Sequence, residues 1–386
     1  MSILSGGAFL LPPRGADLTR WAVVACDQYT SSPSYWEKLA GFVGDAPSTL
    51  DLICPEAFLS EADARLPGIA AASEKYAESW LVPYEGMALV RRSLPHGDRY
   101  GLVCLADLEA YSYEDGGALI RATEGTVLER IPPRMKVRAA SRLDVPHVIC
   151  LIDDPEGTVI EPLVGTGDPL YDFSLYTGGR LEGRLIKDTR AAERALGRLQ
   201  KRAEEEGRPF VLVGDGNHSL AAAKAHYERL RAAGDRRAER ARYALVEVEN
   251  LRSGAVAFEP IHRILYNAGG FAEYVRGRAG GFTLISGGRE TVLPGGGAVK
   301  AYEEAQAAID EYIASYGGSV DYIHGEGELR ALCAERGGVG LLMPALPKSE
   351  LFAEVSERGR LPRKTFSMGE ADEKRFYMES RDIGKP

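Results

Sequence analysis

Short apolar runs bounded by polar turns alternate along this chain with stretches whose apolar residues recur three and four positions apart. Trp21-Ala-Val-Val-Ala-Cys26 reads as a buried strand, and Pro33-Ser-Tyr-Trp-Glu37 opens a helix, because proline suits a first turn. Ser60 to Ser79 is alanine-rich and helical, with a break or kink expected at Pro67. Met87–Ser93 and Tyr100–Leu105 predict two strands joined by a turn. His147–Asp153 and Pro209–Gly214 are buried-strand runs. Between them, Lys187–Glu206 carries Ala191, Ala195, Leu196, Leu199 and Ala203 on one helical face and charges on the other. Asp215-Gly-Asn-His-Ser219 is then a turn, Leu220–Arg231 a helix and Tyr243–Val248 a strand. In the last third, strands at Phe282–Ile285, Glu290–Leu293, Ser319–His324 and Val339–Met343 alternate with helices at Ala301–Tyr316 and Glu326–Glu335.

This succession predicts an α/β fold, with α+β as the alternative, built of mixed sheets flanked by helices. At about 150 residues per domain, 386 residues predict two to three domains. The expected regions are 1–115, a central 116–266 carrying the site, and 267–386, the break after 266 resting on the glycine-rich stretch Asn267–Gly270.

Charge narrows the partners. Lys and Arg number 47 against 56 Asp and Glu, a net −9, so the chain has no global field for nucleic acid or an anionic membrane. No run approaches the roughly 20 apolar residues of a membrane span. No basic segment precedes the apolar residues ahead of Pro12-Pro13, so no signal peptide is read. Five widely spaced cysteines without a CxxC pattern suit small buried hydrophobes in a reducing cytoplasm.

Four segments hold candidate chemistry. In Val213-Gly-Asp-Gly-Asn-His-Ser219 an Asp leaves the end of a buried strand and Gly216 permits a tight turn. Gly216, Asn217 and Ser219 then offer a helix start to a phosphate. His218 adds a donor or base, and Asp215 can hold a metal such as Mg²⁺ or accept a proton. The plain alternative is a turn capped by Asn217 or Ser219. In Leu119–Arg134, Arg121, Arg130 and Arg134 can converge on an anion with Glu124 as general base; the alternative is surface salt bridging. Thr126-Val-Leu-Glu129 reads as a capping box, and Pro132-Pro133 as a break in any helix it starts. Asp27, in the polar loop after the first buried run, is either a substrate contact or an N-cap before Pro33. Arg363, Lys364 and Thr365 form a basic segment that binds an anion or is a solvated loop. His147, His226 and His262 read as structural.

Together these segments resemble the family called domain of unknown function 1015. The residues that carry the resemblance are Cys26-Asp-Gln-Tyr-Thr30, Arg121-Ala-Thr-Glu-Gly-Thr126, Gly214-Asp-Gly-Asn-His-Ser219 and Leu361-Pro-Arg-Lys-Thr-Phe366. Many members read Asp-Gly-His-His-Arg at the third segment. Asp215, Gly216 and His218 match, while Asn217 and Ser219 replace the first His and the Arg. Of a second motif, His-Glu-x-Thr, Glu124 and Thr126 match, and of Pro-x-Lys-Ser/Thr, Pro362, Lys364 and Thr365 match. Leu119 to Val248 also resembles the sulfiredoxin and ParB amino-terminal fold, a superfamily that includes nucleotide-using proteins and free-serine kinases. The Arg that contacts phosphate there is Ser219 here, with Arg121, Arg130 or Lys364 as substitutes.

The resemblance implies an ATP- and Mg²⁺-dependent phosphotransferase acting on a small hydroxyl-bearing metabolite. Glu124 would be the base, and Asp215 would position the metal or the nucleophile. A nucleotide- or metabolite-binding regulatory module and a metal-dependent hydrolase using Asp215 and His218 are the alternatives. With a net −9, a small anionic or nucleotide ligand is the expected partner, gathered by Arg121, Arg130, Arg134, Arg363 and Lys364 at one cleft.

Overall fold

The computed structural model describes residues 2–25, 29, 32–95, 97–114 and 116–384, without the side chain of Asp372. The chain divides into two compact units, Met1–Val256 with Ala371–Pro386, and Ala257–Glu370.

The first unit is built on strands β1 (Leu4–Ser5), β2 (Gly7–Leu11), β3 (Val82–Leu94), β4 (Gly97–Asp107), β5 (Tyr111–Ser112), β6 (Ile120–Ala122), β7 (Leu143–Asp144), β8 (Ile149–Ile152), β9 (Asp168–Ser174), β10 (Arg180–Ile186), β11 (Val211–Asp215) and β12 (Tyr243–Asn250). Among the described residues its main sheet runs β5-β6-β11-β8-β12-β4-β3-β10-β9, with β1 on β4 and β2 on β3. β5, β6 and β11 are parallel, as are β8 and β12, while the β12-β4-β3-β10-β9 run is antiparallel. The fold is mixed α/β, as the alternation of the chain predicts. One sheet runs through both of the first two expected regions, because β4 pairs with β12 along seven residues, so a division at 115/116 does not separate compact units.

Each face of this sheet buries one core. Met87, Leu89, Leu102, Cys104, Val246 and Val248 pack beneath the helices Arg190–Glu205 and Asn217–Ala232. Ala192, Ala195, Leu196 and Ala203 give the first of these helices its apolar stripe. The opposite face joins Phe9, Trp21, Val90, Val103 and Leu245.

That second face also buries ions. Glu247 and Glu249 alternate with Val246 and Val248 on β12 and point into it. Arg375 lies between Glu247 (2.8 Å) and Glu379 (2.7 Å), and the Tyr171 hydroxyl bonds Glu379. Arg99 Nε sits 3.0 Å from Glu249 Oε1 but off the hydrogen-bond direction, which leaves both Glu249 oxygens without a hydrogen bond. Gly101, opposite Glu249 on β4, is needed beside them: a Cβ there would fall 2.1 Å from Glu247 Oε1.

The second unit holds β13 (Phe258–Tyr266), β14 (Phe282–Ser286), β15 (Arg289–Leu293), β16 (Ser319–His324), β17 (Val339–Leu342) and β18 (Phe366–Met368). Its sheet order is β15-β14-β17-β13-β16, with β18 on β13, and every pair is antiparallel. The helix Ala298–Tyr316 covers it through Ala301, Tyr302, Ala305, Ala308, Ile309 and Tyr312.

Several local expectations are corrected. Trp21 ends a short helix, Leu18–Trp21, Ala22 is extended and Val23 makes a single bridge to Tyr377, while Cys26 lies outside the described residues. The helix Ala62–Ser79 runs on through Pro67. Pro132-Pro133 opens the helix Ile131–Ala140 and does not break it, since a first turn needs no N–H from proline. The expected capping box is absent: a 3₁₀ turn at Leu128–Arg130 has no side-chain cap, and Thr126 Oγ1 is buried without a partner. No helix among the described residues is long and apolar enough to cross a membrane.

Two outcomes follow from the buried ions. Replacing Arg375 by Met strands two carboxylates in the core, which should lower the unfolding free energy by about 3–5 kcal/mol, read as a lower urea midpoint. Burial pushes Glu249 up from 4.5 to about 7, against the opposing charge of Arg99. The folded chain then keeps a proton that the unfolded chain has released. This stabilising contribution is complete below the unfolded value and is lost as pH rises toward 7. Urea melts across that window should show the wild type losing more stability than Glu249→Gln.

Candidate functional site

β6 and β11 lie side by side and parallel, with Val213 opposite Ala122, so both strands deliver their next residues to the same end of the sheet. Thr123, buried at the end of β6, donates from Oγ1 to the Val213 carbonyl at 2.7 Å. Three residues beyond Glu124, the Val127 N–H donates to His218 Nε2 at 3.1 Å. The Glu124 segment and the Asp215–Ser219 turn are thus stitched together at two points.

Gly216 makes the turn. Its φ is +82°, and a Cβ would sit 3.0 Å from Val148 Cα. The helix that follows, Asn217–Ala232, begins at once, and the Gly216 carbonyl accepts from Ser219 and Leu220. Among the described residues no side chain caps that helix start. Asn217 Oδ1 is buried without a hydrogen-bond partner among the described residues, as is Thr126 Oγ1 in the facing segment. Buried polar atoms left open at a helix N-terminus mark a place where a ligand or water completes the bonding.

His218 has a defined role here. Its Nε2 accepts from Val127, so in the neutral ring the proton resides on Nδ1, which makes His218 a donor and occupies the lone pair that a base would use. Asp215 is partly exposed and lies 3.7 Å from the ammonium of Lys374, itself nearly buried. The backbone around Lys374 is held by the core: Arg92 donates to the Lys374 carbonyl at 2.7 Å, Arg99 to that of Glu373 at 2.8 Å, and the neighbouring Arg375 to Glu247. His147 bridges Ser219 and the C-terminal segment, with Nε2 3.4 Å from Ser219 Oγ and Nδ1 2.5 Å from Tyr377 OH.

The basic residues expected at the cleft have other partners. Arg130 and Arg134 converge on Glu56, at 3.3 and 2.8 Å, because that carboxylate lies within reach of both guanidinium groups. Arg121 donates from Nε to the Ala118 carbonyl. Arg363, Lys364 and Thr365 belong to the second unit. There Thr365 is fully buried and closes its own turn on the Pro362 carbonyl, and Lys364 has φ of +62°. Asp27 lies outside the described residues. Among the described residues no group of three His, Cys, Asp or Glu has the arrangement of a metal cage.

Lys374 and Tyr377 escape the sequence reading because no motif surrounds them. His147 read as structural because it heads a buried strand. Only the tertiary return of the C-terminal segment brings them to the strand ends.

A family model described as "Protein of unknown function (DUF1015)" matches residues 10–309. No curated protein matches the chain. Among solved structures it is similar to a conserved hypothetical protein from Pyrococcus furiosus, at 11% identity and TM-score 0.37, over 68% of this chain and 89% of that one. It is also similar to free serine kinase in complex with AMP, at 12% identity and TM-score 0.39, over 68% of this chain and 86% of that one. A third is SbnI with C-terminal truncation from Staphylococcus aureus, at 13% identity and TM-score 0.38, over 69% and 81%.

The turn itself yields one expected outcome. Gly216→Ala forces a Cβ into a left-handed position against Val148 and should lower the unfolding free energy by about 1–3 kcal/mol in urea melts. Gly234→Ala, also left-handed but with no atom within 4 Å of the added Cβ, should cost less.

Proposed function

The chain belongs to the DUF1015 family, and we propose that its first unit is a phosphate-binding site of a cytoplasmic small-molecule phosphotransferase that takes ATP as donor. The observation that carries this reading is the Lys374–Asp215 pair, 3.7 Å across, at the uncapped start of a 16-residue helix. A helix N-terminus and an ammonium favour the oxygens of a transferring phosphate. Lys374 takes over the charge that the missing Arg at Ser219 would have supplied.

In the proposed reaction Glu124 accepts the proton of the substrate hydroxyl. That oxygen bonds the γ-phosphorus while the bond to the bridging oxygen breaks, and ADP leaves with its electron pair. Lys374 and the backbone N–H groups of Asn217 and His218 hold the phosphate oxygens in place, since the Ser219 N–H is given to the Gly216 carbonyl. Asn217 and Thr126 use their open polar atoms on the ligand, and His218 donates from Nδ1. One carboxylate beside substrate phosphates fits Mg²⁺, and Asp215 would hold it. The ion would neutralise phosphate charge. Arg130 and Arg134 fall outside this scheme, since Glu56 engages them. Asp27 and Arg121 remain candidates for ligand contact by their place in the matching segments, whereas Arg363, Lys364 and Thr365 belong to the second unit and take no part in this scheme.

A nucleotide-binding module without turnover is the second reading. The bond from Val127 to His218 Nε2 favours it, because it gives His218 a structural use.

Titration of ATP and ADP by calorimetry, followed by a screen of small hydroxy metabolites with ADP detection, separates the two. The expected result is nucleotide binding that weakens at least tenfold in Lys374→Ala, with turnover falling about 10²–10⁴-fold in Glu124→Gln. Binding without turnover selects the second reading. No nucleotide binding, or full turnover in Asp215→Ala, overturns the assignment.

A further inference from the structure

The second unit contains an open cavity of about 620 Å³, bordered by residues of β13, β14 and β17 and by the segments around Pro294, Gly325 and Pro344. That volume is typical of sites for small organic ligands. Phe258, Phe282, Leu293 and Met343 supply apolar walls. Among the described residues the charged lining residues are Glu259 and Glu326, and no Lys or Arg lines the cavity. Glu326 shares Arg330 at 2.9 Å, whereas Glu259 is exposed and forms no ion pair among the described residues.

His262 is the second observation. It is 0% exposed, it lines the cavity, and its Nδ1 accepts the Met343 N–H at 3.1 Å. Burial pushes its pKa down to about 4, so the ring is neutral and its proton sits on Nε2. That Nε2–H has no hydrogen-bond partner among the described residues. A buried donor left open is destabilising unless something accepts from it.

We propose that this cavity binds a small organic amine with an aromatic or aliphatic body and an oxygen acceptor. The body lies between Phe258, Phe282 and Met343, the ammonium faces Glu259 with Glu326 behind it, and the oxygen accepts from His262 Nε2–H. An anion of the same shape meets two carboxylates and no cation. The site stands independently of the phosphotransferase reading.

The test uses the full chain and three probes of similar shape, read by calorimetry: tyramine, phenethylamine and 4-hydroxyphenylacetate. Saturable tyramine binding is expected, at least about tenfold tighter than that of the anion. Phenethylamine, which lacks the oxygen, should bind more weakly than tyramine, and the difference should close in His262→Gln. Glu259→Gln, at an exposed position that folding does not depend on, should weaken both amines several-fold. Equal binding of all three probes, no saturable tyramine binding, or unchanged affinity in Glu259→Gln overturns the proposal. If His262→Gln fails to fold, the Glu259→Gln result decides.

Discussion

Three arginines and three glutamates buried against one face of the first sheet tie the segment Glu373–Glu379 to that sheet. Ions inside a core are tolerable only when each has a partner, because each lost hydration shell costs several kcal/mol. Arg375 meets that condition by reaching Glu247 on β12 and Glu379 on its own segment, and Arg92 and Arg99 by capping the Lys374 and Glu373 carbonyls. Well-packed apolar residues would fill such a core with less penalty. What the ions provide is a unique seat for an irregular segment, since a guanidinium fork bonds in few orientations. Lys374 and Tyr377 sit on that segment, so the position of the candidate site's cation is set by the core.

The two strand-end segments contribute the other half of the site. Parallel pairing of β6 with β11 brings Thr123 level with Gly214, and the bonds Thr123–Val213 and Val127–His218 then lock two loops that are about ninety residues apart. His218 is used as an acceptor in that lock. On the proposed reading, a histidine that fixes loop geometry in this way serves the site by holding the Glu124 segment and not as the base.

Much of this architecture is legible in the sequence wherever one period dominates. Ala195, Leu196, Leu199 and Ala203 read as a helix face and form one, although Ala192 takes the buried place expected of Ala191, which is exposed, and the apolar runs at 149–152 and 211–213 read as buried strands and are. The Val213–Ser219 turn is legible because a buried run, a glycine and a polar helix start follow one another. Legibility ends where tertiary structure reverses a local rule. Val246-Glu-Val-Glu249 alternates like a strand with one wet face, yet both glutamates are buried. β9 and β10 are rich in charge, with Asp172, Arg180, Glu182 and Arg184, and hide as strands for that reason. Arg130 and Arg134 look like anion binders because Glu56, seventy-odd residues earlier, is invisible as their neighbour.

The charge of the site follows from the same constraint. The chain is acidic overall, so a phosphate-binding reading needs a local source of positive potential. The helix start supplies partial charge and Lys374 a whole one, but Asp215 offsets the latter at 3.7 Å. A phosphate arriving there competes with Asp215 for the ammonium, and two anions then face one cation. The balance is restored only if a further cation joins at Asp215, so on this reading phosphate and divalent metal bind cooperatively, each lowering the repulsion the other meets. The absence of an Arg at Ser219 sharpens that coupling. An Arg there would hold phosphate without help, whereas a Lys shared with a carboxylate holds it well only when the carboxylate is engaged elsewhere.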